Sequence, residues 1–162
     1  MVFEMYTLKK LSVLALKLNS KIVSAESCTA GLLSASLTEI PGSSAFFEQG
    51  YITYSNHSKT SVLGVENKIL KKYGAVSEQV AKQMAEGALK RSNSTIAISI
   101  TGIAGPGGSD CKPEGLVCFA VTKKNGKTRT KTMEYGPLGR SKVRSSAVKT
   151  ALNLLFEEMS VI

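Results

Sequence analysis

Few side chains in this sequence are equipped for chemistry at neutral pH. The chain has one histidine, His57, and no Gly-x-Ser-x-Gly elbow to present a nucleophile, so a Ser-His-Asp hydrolase lacks its turn. A lone histidine without a cluster of acids or thiols does not fill a metal coordination shell, and no metal site is expected. Cys28, Cys111 and Cys118 contain no Cys-x-x-Cys pair, which excludes both a disulfide framework and a four-thiolate zinc site and fits a reducing cytosol. Serine with lysine remains. An ammonium that is desolvated or placed near other cations loses its proton more easily and can then accept one from a serine. Lys59 follows Tyr54, Ser55 and Asn56, and Ser43-Ser44 lie just after Pro41-Gly42. Ser-x-x-Lys spacing recurs at Ser109 to Lys112 and at Ser146 to Lys149, so spacing alone does not select a pair.

Phosphate recognition is the other chemistry to weigh. Gly126-Lys127-Thr128 resembles the end of a P-loop, but Val121 stands where the earlier glycine is needed. Gly105-Pro106-Gly107 is followed by Asp110 where the dinucleotide fingerprint needs glycine. The glycine-rich run Thr101 to Gly108 can still offer backbone amides to an anion, and it reads equally well as a tight surface loop.

These residues are placed by an alternation of helices and strands. Leu8, Leu11, Leu14, Ala15 and Leu18 recur at helical spacing, and Lys21 to Ala25 reads as a buried strand. Glu26 to Gly31 turns into a helix over Leu32 to Glu39 that Pro41-Gly42 stops. Gly50 to Tyr54 reads as a strand, followed by a helix through Lys59 and Val62 that ends at Gly64. Ser77 caps a helix with Val80, Ala81, Met84, Ala85, Ala88 and Leu89 on one apolar face. Thr95 to Ile100 is a strand of β-branched residues running into the glycine-rich loop. Leu116 to Val121 and Thr128 to Met133 flank Asn125-Gly126 as an antiparallel hairpin, and Val148, Leu152, Leu155 and Met159 mark a closing helix. The economical architecture is a mixed sheet covered by helices on both faces. Three polar loops then follow strand ends, where open α/β sheets bind ligands.

Composition sets the class of partner. With 162 residues, 43% hydrophobic and 20% charged, the chain is expected to be a single domain over residues 1–162. The net charge of +9 is spread along the sequence without interleaved aromatic residues, which argues against nucleic acid and for an anionic small ligand. No apolar run approaches the roughly 20 residues of a membrane span, and Lys17 interrupts the segment Leu8 to Leu18 that could pass for a signal core. A cytoplasmic protein without membrane association is expected.

Five blocks of sequence resemble one known family. Ala25-Glu26-Ser27-Cys28-Thr29-Ala30-Gly31, Pro41-Gly42-Ser43-Ser44, Tyr54-Ser55-Asn56-x-x-Lys59, Gly74-Ala75-Val76-Ser77-Glu78 and Thr101-Gly102-Ile103-Ala104-Gly105-Pro106 look like the CinA carboxy-terminal domain, in order and register over about residues 5 to 160. The resemblance implies an α/β fold, a three-layer α/β/α sandwich with a mixed, mostly parallel sheet. It also implies hydrolysis of the carboxamide of nicotinamide mononucleotide to nicotinate mononucleotide and ammonia, as in pyridine nucleotide salvage, with no cofactor. The partner is then a small pyridine nucleotide, and homo-oligomerisation is left open. An amino-terminal domain with metal-dependent pyrophosphatase chemistry, fused to this one in longer relatives, has no counterpart in these residues.

Carried over position by position, the resemblance gives Ser44 as the preferred nucleophile, Lys59 as base and Tyr54 as a supporting hydroxyl, with Ser27 as the competing nucleophile. It puts Glu26, Cys28, Thr29, Asn56, Thr101, Gly102, Gly105 and Arg140 around the substrate, Arg140 suiting its phosphate. Cys28 reads as a small packing residue. Oxyanion donors are expected among the amides of Ser27 to Thr29 or in the glycine-rich loop. Two departures touch these loops: Ala30 stands where a second glycine is common, tolerable if its backbone is helical, and no aspartate follows Pro106. The alternative is a non-catalytic nucleotide-binding or regulatory module linked to competence or DNA damage.

Overall fold

In the computed structural model, residues 2–109 and 111–161 are described, residues 2–4 by their backbone alone. Along the chain run α1 (Val2–Lys17), β1 (Ile22–Glu26), α2 (Leu32–Thr38), a short 3-10 turn (Ser43–Ala45), β2 (Phe47–Ile52), α3 (Asn56–Leu63), α4 (Asn67–Tyr73), α5 (Glu78–Lys90), β3 (Ile96–Gly102), β4 (Leu116–Lys123), β5 (Arg129–Glu134) and α6 (Arg140–Ser160). The five strands form one sheet in the order β2-β1-β3-β4-β5. β1 is parallel to both β2 and β3, and β4 is antiparallel to β3 and β5. Four strands therefore point the same way and β4 alone opposes them, which is the mixed, mostly parallel arrangement.

Alternation along the strands feeds two cores. Ile22, Ile96, Ile98, Ile100, Val117 and Phe119 face one side, where Leu11 of α1, Leu33 and Leu37 of α2 and Leu155 of α6 cover them. Val23, Ala25, Ala97 and Ala120 face the other, against Val80, Met84 and Ala88 of α5. Small residues dominate this second face and let α5 come close, so that the buried Ser99 hydroxyl donates to the Ala81 carbonyl at 2.6 Å. The result is three layers.

Register then determines where the site forms. Glu26 of β1 pairs with Ile52 of β2 and with Ile100 of β3, so β1 and β2 end level and β3 runs two residues further. The segments that follow them, beginning at Ser27, Thr53 and Ile103, emerge side by side at the carboxyl edge, the edge that open α/β sheets use for ligands.

Several element boundaries differ from the sequence expectation. β2 occupies Phe47–Ile52 rather than Gly50 to Tyr54, because Phe47, Gln49 and Tyr51 turn their half-buried faces inward along an edge strand. The hairpin pairs Val121 with Arg129 and leaves a longer connection than two residues, with Asn125 left-handed at φ 63°. α4 is an additional helix that contributes one buried side chain, Leu70, too little apolar surface for a periodic signal. Ala30 is not helical: its φ is 48°, in the left-handed region that costs an L-residue roughly 1 to 2 kcal/mol. Ala30→Gly therefore stabilises the fold by about 1 kcal/mol, read as a rise in urea midpoint at unchanged slope. An unchanged or lower midpoint would contradict that strain.

Candidate active site

The loops after β1, β2 and β3, the connection between α4 and α5, and the start of α6 line a cleft of about 320 Å³ at the carboxyl edge of the sheet. Its floor is a serine and a lysine. Ser55 caps α3 by accepting the Ser58 amide at 3.0 Å, which sets the helix so that Lys59, one turn in, points back under the sheet edge. Lys59 is 1% exposed. Its Nζ donates to the Ser27 hydroxyl at 3.0 Å, to the Thr53 carbonyl at 2.9 Å and to the Tyr54 carbonyl at 3.0 Å. Among the described residues no carboxylate forms an ion pair with it. Burial without a counter-ion lowers its pKa from 10.5 to about 8. A neutral amine has two N–H bonds and one lone pair, so the carbonyls take the hydrogens and the lone pair is left for the Ser27 proton.

Ser44, the preferred nucleophile from sequence, is elsewhere. It lies exposed in the 3-10 turn before β2, where its carbonyl accepts from Lys21 Nζ at 2.7 Å, and Lys21 immediately precedes β1. This is the amino-terminal edge of the sheet, and at about 3.3 Å per residue the length of β2 separates it from Lys59. The structure therefore pairs Lys59 with Ser27 and leaves Ser44 outside the cleft.

The other candidate residues divide between the cleft and its supports. Cys28, Tyr54, Thr101, Gly102, Gly105 and Arg140 line the cleft. The Tyr54 ring is exposed and its hydroxyl accepts from Arg140 Nη2 at 3.1 Å, while Arg140 Nη1 donates to the Gly105 carbonyl at 3.0 Å. Thr101 is buried with its hydroxyl committed to the Ala75 carbonyl at 2.9 Å. Cys28 is buried, and burial pushes its thiol up to about 11, which keeps it protonated and unreactive at neutral pH.

Glu26, Thr29 and Asn56 do not line the cleft. Glu26 is wholly buried beneath α2 and accepts from the amides of Gly31, Leu33 and Ser34 at 2.9–3.1 Å and from the Ser34 hydroxyl at 2.7 Å. Its carboxylate anchors the helix start and has no capacity left for substrate. Glu26→Gln replaces an acceptor oxygen by an amide donor facing these N–H groups, and lowers stability by about 2 to 4 kcal/mol in chemical denaturation; a loss below about 0.5 kcal/mol would contradict the anchoring role. Thr29 is buried with its hydroxyl unpartnered, and its carbonyl accepts from Arg144 Nη2 at 3.0 Å. Asn56 borders an adjacent depression beside Lys71 and Lys72 instead. The exposed His57 has no place in the cleft.

The oxyanion donors can now be narrowed. The Ser27 amide is spent on the Ile100 carbonyl at 2.9 Å. The Cys28 and Thr29 amides have no backbone acceptor among the described residues, and they lie immediately beyond the serine hydroxyl in the chain. Sequence reasoning did not find the Thr53 carbonyl, which helps orient Lys59, or Arg144, which reaches the loop from α6. Both act through contacts distant in sequence, and no local pattern announces them.

A family model described as the CinA C-terminal domain matches residues 6–159. A CinA-like protein of Akkermansia muciniphila is 49% identical over 133 residues, covering 82% of this chain and 32% of the relative. A CinA-like protein of Mycolicibacterium gilvum is 48% identical over 149 residues, covering 91% and 35%. The chain thus spans about a third of the length of the curated relatives it matches. Among solved structures, the competence/damage inducible protein CihA from Agrobacterium tumefaciens superposes with a TM-score of 0.90 at 44% identity, covering 95% of this chain and 93% of the other. The competence damage-inducible protein A (ComA) from Klebsiella pneumoniae gives 0.93 at 33% identity with 98% of each chain covered.

Proposed function

The chain belongs to the CinA C-terminal domain family, and on that premise we propose that it is an amidase that hydrolyses the carboxamide of nicotinamide mononucleotide to nicotinate mononucleotide and ammonia. The observation that carries this reading is the buried Lys59 at 3.0 Å from Ser27, with no carboxylate in an ion pair with it among the described residues. That is the arrangement an amine needs to act as a base near neutral pH.

In the proposed reaction neutral Lys59 accepts the Ser27 proton as Oγ attacks the carboxamide carbon. The amide of Cys28, which lines the cleft next to Ser27, stabilises the resulting oxyanion, a contribution of about 2.7 to 4 kcal/mol for a donor of this kind. Lys59 then returns the proton to the departing nitrogen, ammonia leaves, and the acyl group remains as an ester on Ser27. Lys59 next takes a proton from water, whose oxygen attacks the ester carbon, and returns it to Ser27 Oγ as the ester bond breaks, which releases the carboxyl product and regenerates the serine and the neutral amine. Val76, Ile103 and Pro106 supply apolar wall for the pyridine ring. Arg140, with two of its N–H groups on Tyr54 and Gly105, has others left for the phosphate.

The test is release of ammonia and nicotinate mononucleotide from nicotinamide mononucleotide by the purified protein. Turnover supports the assignment. Binding of the nucleotide without turnover would replace it by a binding module, and the absence of both would remove this substrate.

A further inference from the structure

Arg140 and the glycine-rich loop stand on opposite sides of a sequence gap, yet one acidic side chain holds both. Glu114 lies in the segment between that loop and β4. One carboxylate oxygen accepts from the Gly107 amide at 2.7 Å and the other from the Gly139 amide at 2.9 Å. Gly139 is the residue before α6, and Arg140 is the first residue of that helix. Arg140 in turn donates to the Gly105 carbonyl and the Tyr54 hydroxyl. A closed ring results, in which Glu114 grips the loop at Gly107 and the helix start at Gly139, while Arg140 bridges the same loop to Tyr54. A Cβ at Gly105, whose φ is +89°, would meet the Glu114 carboxyl group, so a side chain there would displace that carboxylate.

We propose that Glu114 is a positioning residue that fixes the glycine-rich loop and Arg140 as one wall of the cleft, and so governs nucleotide affinity. This rests on the amidase reading above for its substrate, but the geometry it concerns does not depend on turnover. The bonds are charge-assisted and converge on one carboxylate from residues 7 and 25 positions away. Removing that carboxylate frees both groups at once. Because Glu114 touches neither Ser27 nor Lys59, the loss falls on binding.

Three variants test this. Glu114→Ala is expected to raise KM for nicotinamide mononucleotide, and the Kd for nicotinate mononucleotide measured by calorimetry, by about tenfold, while kcat stays within about threefold. Glu114→Gln retains one acceptor oxygen and gives an intermediate effect. Glu114→Asp keeps the charge on a shorter arm and also falls between. Amide hydrogen exchange supplies the readout independent of substrate: in Glu114→Ala the Gly107 and Gly139 amides exchange faster, while the amides of β3 keep their protection. Unchanged KM and Kd with unchanged exchange at Gly107 would overturn the proposal. So would loss of protection throughout β3 with kcat falling in parallel, which would make Glu114 a general stabiliser. If the wild-type protein shows no turnover, the amidase reading fails, and the exchange and calorimetric measurements still decide the role of Glu114.

Discussion

Ser27→Ala is expected to lower kcat for nicotinamide mononucleotide by at least about 10³-fold, with Ser44→Ala within about twofold of wild type. The contrast follows from the two edges of the sheet. Ser27 comes directly after β1 and receives a hydrogen bond from Lys59 at 3.0 Å, whereas Ser44 precedes β2 and is tied through its carbonyl to Lys21. Ser27 is 8% exposed, and serine differs from alanine by one hydroxyl group, so truncation to alanine removes the nucleophile without opening a large cavity. Ammonia release measured for both variants, with urea midpoints as a control on folding, checks the assignment. Loss of activity in Ser44→Ala with retention in Ser27→Ala would reverse it.

Lys59→Met is expected to lower kcat by about 10² to 10⁴-fold, the range associated with a positioned general base. Methionine fills a similar volume without burying a charge but leaves the Thr53 and Tyr54 carbonyls without their donor, so the urea midpoint is measured beside activity as a control on folding. The pH dependence carries a sign of its own. Lys59 must be neutral to accept the Ser27 proton, so kcat/KM of the wild type rises with pH through about 8, the value to which burial brings this amine. Below that range the ammonium donates to Ser27 and activity falls. Lys59→Arg remains charged at every accessible pH and stays inactive even at the alkaline limit. A profile flat between pH 6 and pH 9, or one that falls as pH rises through about 8, would contradict the base assignment.

Much of the fold is legible in the sequence because its signals are local. The apolar stripe from Val80 to Ala88, the Ser77 cap and the β-branched run before Thr101 each report their own element, and each element is present. The family blocks likewise mark all three loops at the carboxyl edge. The pairing across loops is harder to read. Ser44 is nearer Lys59 in the chain than Ser27 is, but a strand intervenes, and a residue before a strand and a residue after it finish on opposite edges. Ser27 and Lys59 both follow parallel strands, a relation visible only once β1 and β2 are known to be neighbours. Glu26 shows a related limit: an acid at a strand end looks like a ligand contact, and what consumes its carboxylate is the start of α2. Glu114 carries no local cue, since both of its partners are glycines distant in sequence.

The most direct test of the central claim, that Ser27 forms an ester with the substrate under the action of Lys59, is turnover of nicotinamide mononucleotide in the presence of hydroxylamine. The account predicts that hydroxylamine intercepts the ester, so that the hydroxamate of the nucleotide appears at the expense of the carboxylate, and that neither product forms with Ser27→Ala. Formation of the carboxylate alone at every hydroxylamine concentration, or of the hydroxamate by Ser27→Ala, would contradict it.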